Sequence, residues 1–198
     1  MYQETGASLL TDLRNREPDA FAYLFEHYSD KIYRLAISML KQEAAAEGVV
    51  QDTFLRLIER LDQFEERSQL GTWLYRIAYN LTVDRLRKRK PELELGDEPE
   101  DGRLTAPVHL VDWQQWPENL LADAEVTAAL DDAIAALPEK FRIVFVLREV
   151  EGLSTEETAE ITSLSLSATK VRLHRARLFL REQLTQSLFA VGTEITTK

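Results

Sequence analysis

The chain has 198 residues, 44% of them hydrophobic, and a formal charge of −10. Without cysteine it can form neither a disulfide nor a thiolate metal site. No apolar run approaches the roughly 20 residues that span a bilayer. Residues 1–20 also lack the basic-then-apolar order of a signal peptide, so a cytoplasmic protein is expected.

Residues 21–41, FAYLFEHYSDKIYRLAISMLK, place Phe21, Leu24, Phe25, Tyr28, Ile32, Leu35 and Met39 at helical steps. Pro18 and Asp19 suit the start of that helix. Residues 44–64 repeat the pattern with Val50, Phe54, Leu57, Ile58 and Leu61. After the polar stretch EERSQLG, residues 72–90 give Trp73, Leu74, Ile77, Ala78, Leu81 and Leu86 on one broad face. No alternating strand pattern or Asn-Gly hairpin turn occurs here. That last helix ends in Arg85, Arg87, Lys88, Arg89 and Lys90, downstream of Trp73, Tyr75, Tyr79 and Asn80. Cations beside aromatics and an amide suit unpaired DNA, because rings stack on bases while cations follow the backbone. Cations are also favoured at any helix C-terminus, so this cluster alone is weak evidence.

The charge imbalance sits in the middle of the chain. Residues 91–125 hold ten acids against one base, Arg103, and four of the six prolines. They read as an acidic linker, leaving domains at 1–90 and 126–198 that are close to neutral. Within the linker, Trp113 and Trp116 are costly to leave exposed and are expected to pack on a domain. A further use for this segment would be to lie over the basic helices as a self-mask.

In the second domain, residues 126–138 are helical up to Pro138. EKFRIVFVLREVEG follows; its β-branched Ile143, Val144, Val146 and Val150 permit a strand, while the flanking helices favour a helix stopping at Gly152. Ser154 with Glu157 forms an S-x-x-E capping box. A short helix, a break at Ser163–Ser165 and a longer helix complete a helix-turn-helix. On the long helix Thr169, Leu173, Ala176, Leu180 and Leu184 form one stripe, the expected core face. Lys170, Arg172, Arg175, Arg177 and Arg181 ring an opposite strip centred on Val171 and His174. Such a strip suits the major groove, with bases at its centre and phosphates at its flanks. A solvated basic helix is the plain alternative, but five bases and no acid from 169 to 181 favour DNA.

Three stretches together resemble the extracytoplasmic-function (ECF) group of bacterial RNA polymerase sigma factors: AAAEGVVQDTFLRL, TWLYRIAYNLTVDRLRKRK, and residues 137–177. Their order around an acidic linker matches too, over about residues 18–186. The resemblance implies an all-α chain of two small helical domains, the second containing the helix-turn-helix. It implies that the chain binds core RNA polymerase and directs promoter-specific transcription initiation under the control of an anti-sigma factor.

By residue, the resemblance puts Glu47, Gln51 and Asp52 on the polymerase-contacting helix. The loop from Phe64 to Leu70, including Arg67 and Ser68, would capture a base flipped from the −10 element; Arg76 and Asn80 would support that strand, and Arg85, Arg87, Lys88 and Arg89 its upstream backbone. Lys170, Val171, His174 and Arg175 would face bases of the −35 element, with Arg148, Arg172 and Arg177 on phosphates. Three departures stand out. Ala45-Ala46-Glu47-Gly48 replaces a common Asp-Ala-Glu-Asp, and Ser163 stands where the helix-turn-helix break usually has Gly. Val171 replaces a small polar residue and would favour an apolar contact such as a thymine methyl.

Other classes fit less of the chain. A plain helix-turn-helix regulator has no use for TWLYRIAYNLTVDRLRKRK. A helical adaptor leaves the cation-ringed helix unexplained. An enzyme is disfavoured because His27, His109 and His174 are scattered and no H-E-x-x-H, G-x-S-x-G or P-loop occurs. No cofactor or metal is expected.

Overall fold

The computed structural model describes residues 7–91, 95 and 124–194, so the tryptophan and self-masking expectations for the linker lie outside the described residues. Every regular element among the described residues is helical. The first four helices are α1 (Ala7–Arg14), α2 (Pro18–Leu40), α3 (Glu43–Arg60) and α4 (Leu70–Arg89). Proline at the start of α2 has its φ preset for a helix and lacks only an N–H that would go unpaired there. The helix stops at Lys41, whose left-handed φ of 53° lets its N–H close on the Ile37 carbonyl. α3 ends in a single 3-10 turn, Leu61–Gln63.

Leu24, Ile32, Leu35, Leu57, Leu61 and Leu74 are almost fully buried where α2, α3 and α4 meet. The expected helical faces hold there. Phe25 and Ile58, assigned to the core from periodicity, are instead exposed at 51% and 40%. α1 was not anticipated. Its eight residues are too short for a clear period, yet Leu9 and Leu13 are fully buried. Arg14 ties it to the loop after α3 through the Phe64 carbonyl and the Glu66 carboxylate.

The remaining helices are α5 (Ala124–Ala136), α6 (Glu139–Phe145), α7 (Thr155–Thr162) and α8 (Leu166–Glu194). α6 runs into a π turn, Val146–Val150, in which the Glu151 N–H reaches back to the Val146 carbonyl. The apolar run 139–152 is thus helical, and Gly152 (φ 73°) ends it. Ser154 and Glu157 form the expected capping box: the Ser154 hydroxyl accepts from the Glu157 N–H, and the Glu157 carboxylate from the Ser154 N–H. Ser163 breaks the chain between α7 and α8 at φ 57°. Leu137, Ile143, Leu147, Ile161, Ala176 and Leu180 form the core of this half.

The two halves share one continuous apolar core. Arg142 sits at the junction, 4% exposed. Its guanidinium donates to the Ile134, Ala135 and Leu137 carbonyls of its own half and to the Ser38 carbonyl of α2. Burial lowers its pKa, and the Glu139 charge pulls the other way.

Candidate nucleic-acid and polymerase interface

The core stripe of α8 is as expected: Thr169, Leu173, Ala176, Leu180 and Leu184 are all buried. The opposite strip differs. Lys170 is exposed, but Val171 is 7% and Arg172 2% exposed, and His174, Arg175 and Arg177 are half-buried. The cause lies off the helix. Arg172 donates to the carbonyl of Leu95, itself buried just beyond α4. Its charge also acts on Tyr79 of α4: burial pushes the Tyr79 phenol up, and Arg172 and Arg87 pull it back. A period on one helix cannot reveal a contact with a segment 77 residues away. Arg177 pairs with Glu149 at 2.6 Å, and Arg148 is half-buried. The Nε atoms of Arg148 and Arg177 are buried without an acceptor.

The expected −10 residues lie along the loop before α4 and down α4 itself. Phe64 is 7% exposed, its ring 5.2 Å from that of half-buried Trp73, so it packs inward. Arg67 is exposed beside Glu65 at 2.6 Å, and Ser68 is half-buried. Arg76 and Asn80 share an exposed face one turn apart, with Arg76 3.8 Å from Glu160 of α7. Arg85 lies across α3, donating to the Ala45 carbonyl and to Asp52 at 2.7 Å. Arg89 donates to the Leu40 carbonyl. Arg87 and Lys88 project into solvent.

On α3, Glu47 and Gln51 are exposed, while Asp52 is held by Arg85. Leu55 and Ile58 extend the Glu47–Gln51 stripe at helical spacing, 57% and 40% exposed. Phe25 joins them, packed on Phe54 with ring centres 5.0 Å apart. Sequence reasoning found the polar half of this surface and missed the apolar half, although Glu47, Gln51, Leu55 and Ile58 follow one helical period.

A second missed feature lies between the halves. The Glu151 side chain is 1% exposed. Arg34 of α2 donates to both its oxygens, at 2.9 and 3.0 Å, and the Tyr75 hydroxyl of α4 donates to one of them at 2.8 Å. The Arg34 pKa is raised by its hydrogen bond to Glu151, against a smaller effect of burial; that of Tyr75 is raised by burial and then by the Glu151 charge. Nearby, Thr72 donates to Glu157 at 3.1 Å and Lys41 to the Ala135 carbonyl at 2.7 Å. Lys90 pairs with Glu139. Nothing in the local sequence marks Glu151, because both partners come from distant helices.

Among the described residues no group of His, Asp or Glu is arranged to hold a metal ion, and no helix is long and apolar enough to cross a membrane.

Comparison with known proteins gives two family matches, Sigma-70 region 2 over residues 24–92 and Sigma-70, region 4 over residues 127–180. The chain is 37% identical over 176 residues to the ECF RNA polymerase sigma factor SigW of Bacillus subtilis, covering 88% of this chain and 94% of that one. It is 30% identical to the RNA polymerase sigma-H factor of Pseudomonas aeruginosa, covering 89% and 92%. Two solved structures are similar. One is CnrH in complex with the cytosolic domain of CnrY, with TM-score 0.62, 25% identity, and coverage of 90% and 96%. The other is the sigma factor RpoE with the anti-sigma factor NepR from Bartonella quintana, with TM-score 0.60, 26% identity, and coverage of 83% and 96%.

Proposed function

The chain belongs to the ECF RNA polymerase sigma factors, and from that premise we propose how its surfaces divide the work of promoter-specific initiation. The stripe of Glu47, Gln51, Leu55 and Ile58 on α3, with Phe25 beside it, docks core RNA polymerase: exposed apolar side chains supply area and the polar ones orientation. The 64–70 loop and the exposed Arg76–Asn80 face of α4 receive the melted −10 strand, while Arg87 and Lys88 follow its phosphates. Phe64 supports the loop from within through Trp73 and does not offer a stacking face.

The helix-turn-helix of α7 and α8 reads the −35 duplex. Lys170, Val171, His174 and Arg175 face bases. Arg148, Arg172 and Arg177 hold phosphates. The chain performs no covalent chemistry itself, works in the cytoplasm, and is held in check by an anti-sigma factor. The similar RpoE structure from Bartonella quintana is of a sigma factor in complex with an anti-sigma factor, NepR, which supports this control.

The observation that carries this reading is the presence of both sigma blocks, in order, in one chain that aligns over 88% of its length with a named ECF factor. Run-off transcription with bacterial core polymerase on a pool of promoter fragments tests it. Promoter-specific transcripts are expected, and Lys170→Ala combined with Arg175→Ala abolishes them. Duplex binding without any polymerase-dependent transcript would mean an ordinary regulator instead.

A further inference from the structure

The arrangement of the two halves conflicts with the task just assigned to them, and this inference rests on that assignment. The −35 and −10 elements lie roughly 25 base pairs apart, about 85 Å along a duplex rising about 3.4 Å per base pair. Here the two reading units touch. Thr72 and Arg76 of α4 meet Glu157 and Glu160 of α7, and Arg172 of α8 acts on Tyr79 of α4. Val171 and Arg172, assigned to a base and a phosphate, are buried. No single promoter can be read at both elements from this geometry.

We infer that the free chain is closed on itself, with Glu151 as the latch that holds the −35 reader against the −10 reader. Glu151 is the one described carboxylate that receives side chains from both α2 and α4 while belonging to the other half of the chain. Its side chain is 1% exposed, so its charge depends on those partners for solvation. Arg34 is the weaker end of the pair: 48% exposed, it recovers water when released. Losing Arg34 therefore disturbs the closed form more than losing Glu151, since it strands a buried carboxylate beside Tyr75. Lys41, Arg142 and Lys90 add contacts across the same junction. Opening moves Glu151 into water and parts α7 from the Thr72–Arg76 face of α4.

The 198-residue chain tests this directly. It has no cysteine, so Asn15→Cys and Asp132→Cys accept a donor and acceptor dye pair at two exposed sites, one in each half. Energy transfer reports the separation of the halves, and titration with a −35 duplex, without polymerase, reports the competent fraction. Glu151→Ala and Arg34→Ala are expected to lower transfer and to tighten duplex binding by about tenfold, because apparent affinity scales with the competent fraction. Arg34→Ala has the larger effect, and the double variant falls back to the effect of Glu151→Ala, because no carboxylate is then left stranded. Unchanged transfer and affinity in variants with parental helical circular dichroism overturns the latch. If Glu151→Ala loses its helical signal, Arg34→Ala decides, since its side chain stands at the surface of α2. Run-off transcription by the parent separates the two ideas: transcripts with no opening in either variant leave the sigma reading intact and remove the latch.

Discussion

Gly48 and Gly71 are both helical and look alike in sequence, but they stand in different surroundings. A methyl group on Gly71 would lie 2.2 Å from the Tyr28 hydroxyl, inside the packed junction of α2 and α4. One on Gly48 would meet the end of the Arg85 side chain at 3.1 Å, and that flexible end can shift. Gly71→Ala is therefore expected to destabilise by about 1–3 kcal/mol, overpacking outweighing the helix propensity gained. Gly48→Ala is expected to be neutral or to stabilise by up to about 1 kcal/mol. Urea denaturation of the two variants checks both signs. The contrast also accounts for the departure at position 48: with no side chain there, the Arg85 guanidinium lies close over α3 and reaches the Ala45 carbonyl and Asp52. Asp52 and Arg85, assigned from resemblance to polymerase and DNA, thus hold each other in the free chain. Ser163 shows the reverse economy. It accepts a left-handed φ of 57° where glycine would sit without strain, and the Leu164 N–H still closes on the Ala159 carbonyl.

At the scale of elements, α7 depends on carboxylates for its entry. Burial acts to raise the Glu157 pKa, but the Ser154 N–H, the Ser154 hydroxyl and Thr72 outweigh it, leaving the group below its usual value. Glu139, opening α6, is lowered by its hydrogen bond from Lys90, against the effect of burial. A carboxylate lowered on folding contributes stability that is fully present above its unfolded pKa and is lost as pH falls through the folded one. The melting temperature should therefore be flat from about pH 8 to 5 and fall below about pH 4.3, the unperturbed glutamate value. Glu157→Gln should blunt that fall in a pH series of thermal melts. The helices themselves were legible because their apolar residues recur every three or four positions and Pro18, Gly152 and the Ser154–Glu157 box punctuate them. α1 was not, being shorter than the period needs to declare itself. The π turn was not either, since its β-branched residues fit strand or helix equally until packing decides.

For the molecule as a whole, the two cation-rich helices could be read one at a time, but what covers each could not. Lys170, Arg87 and Lys88 are exposed as a lone helix would have them. Arg172 is buried where it donates to the Leu95 carbonyl, 77 residues away in sequence. Glu151, Arg34 and Tyr75 were silent for the same reason. Arg142 was equally silent, although it joins the halves through four carbonyl oxygens, because a cation inside an apolar run gives no sign of which backbone groups it will satisfy.

The Lys90–Glu139 pair brings the end of α4 close to the start of α6, and the 13 residues of α5, about 20 Å of helix, lie between that point and Ala124, where the segment after α4 returns. That segment, residues 90–123, has about 34 residues and a contour of at most roughly 110–120 Å. Two promoter elements about 85 Å apart draw on most of that length. The number of residues in the segment then sets an upper limit on how far apart the two elements can stand. Removing ten residues from within it takes away about 35 Å of reach. Transcription measured on promoters of graded spacing should then lose the widest separations first, while the shortest still fire.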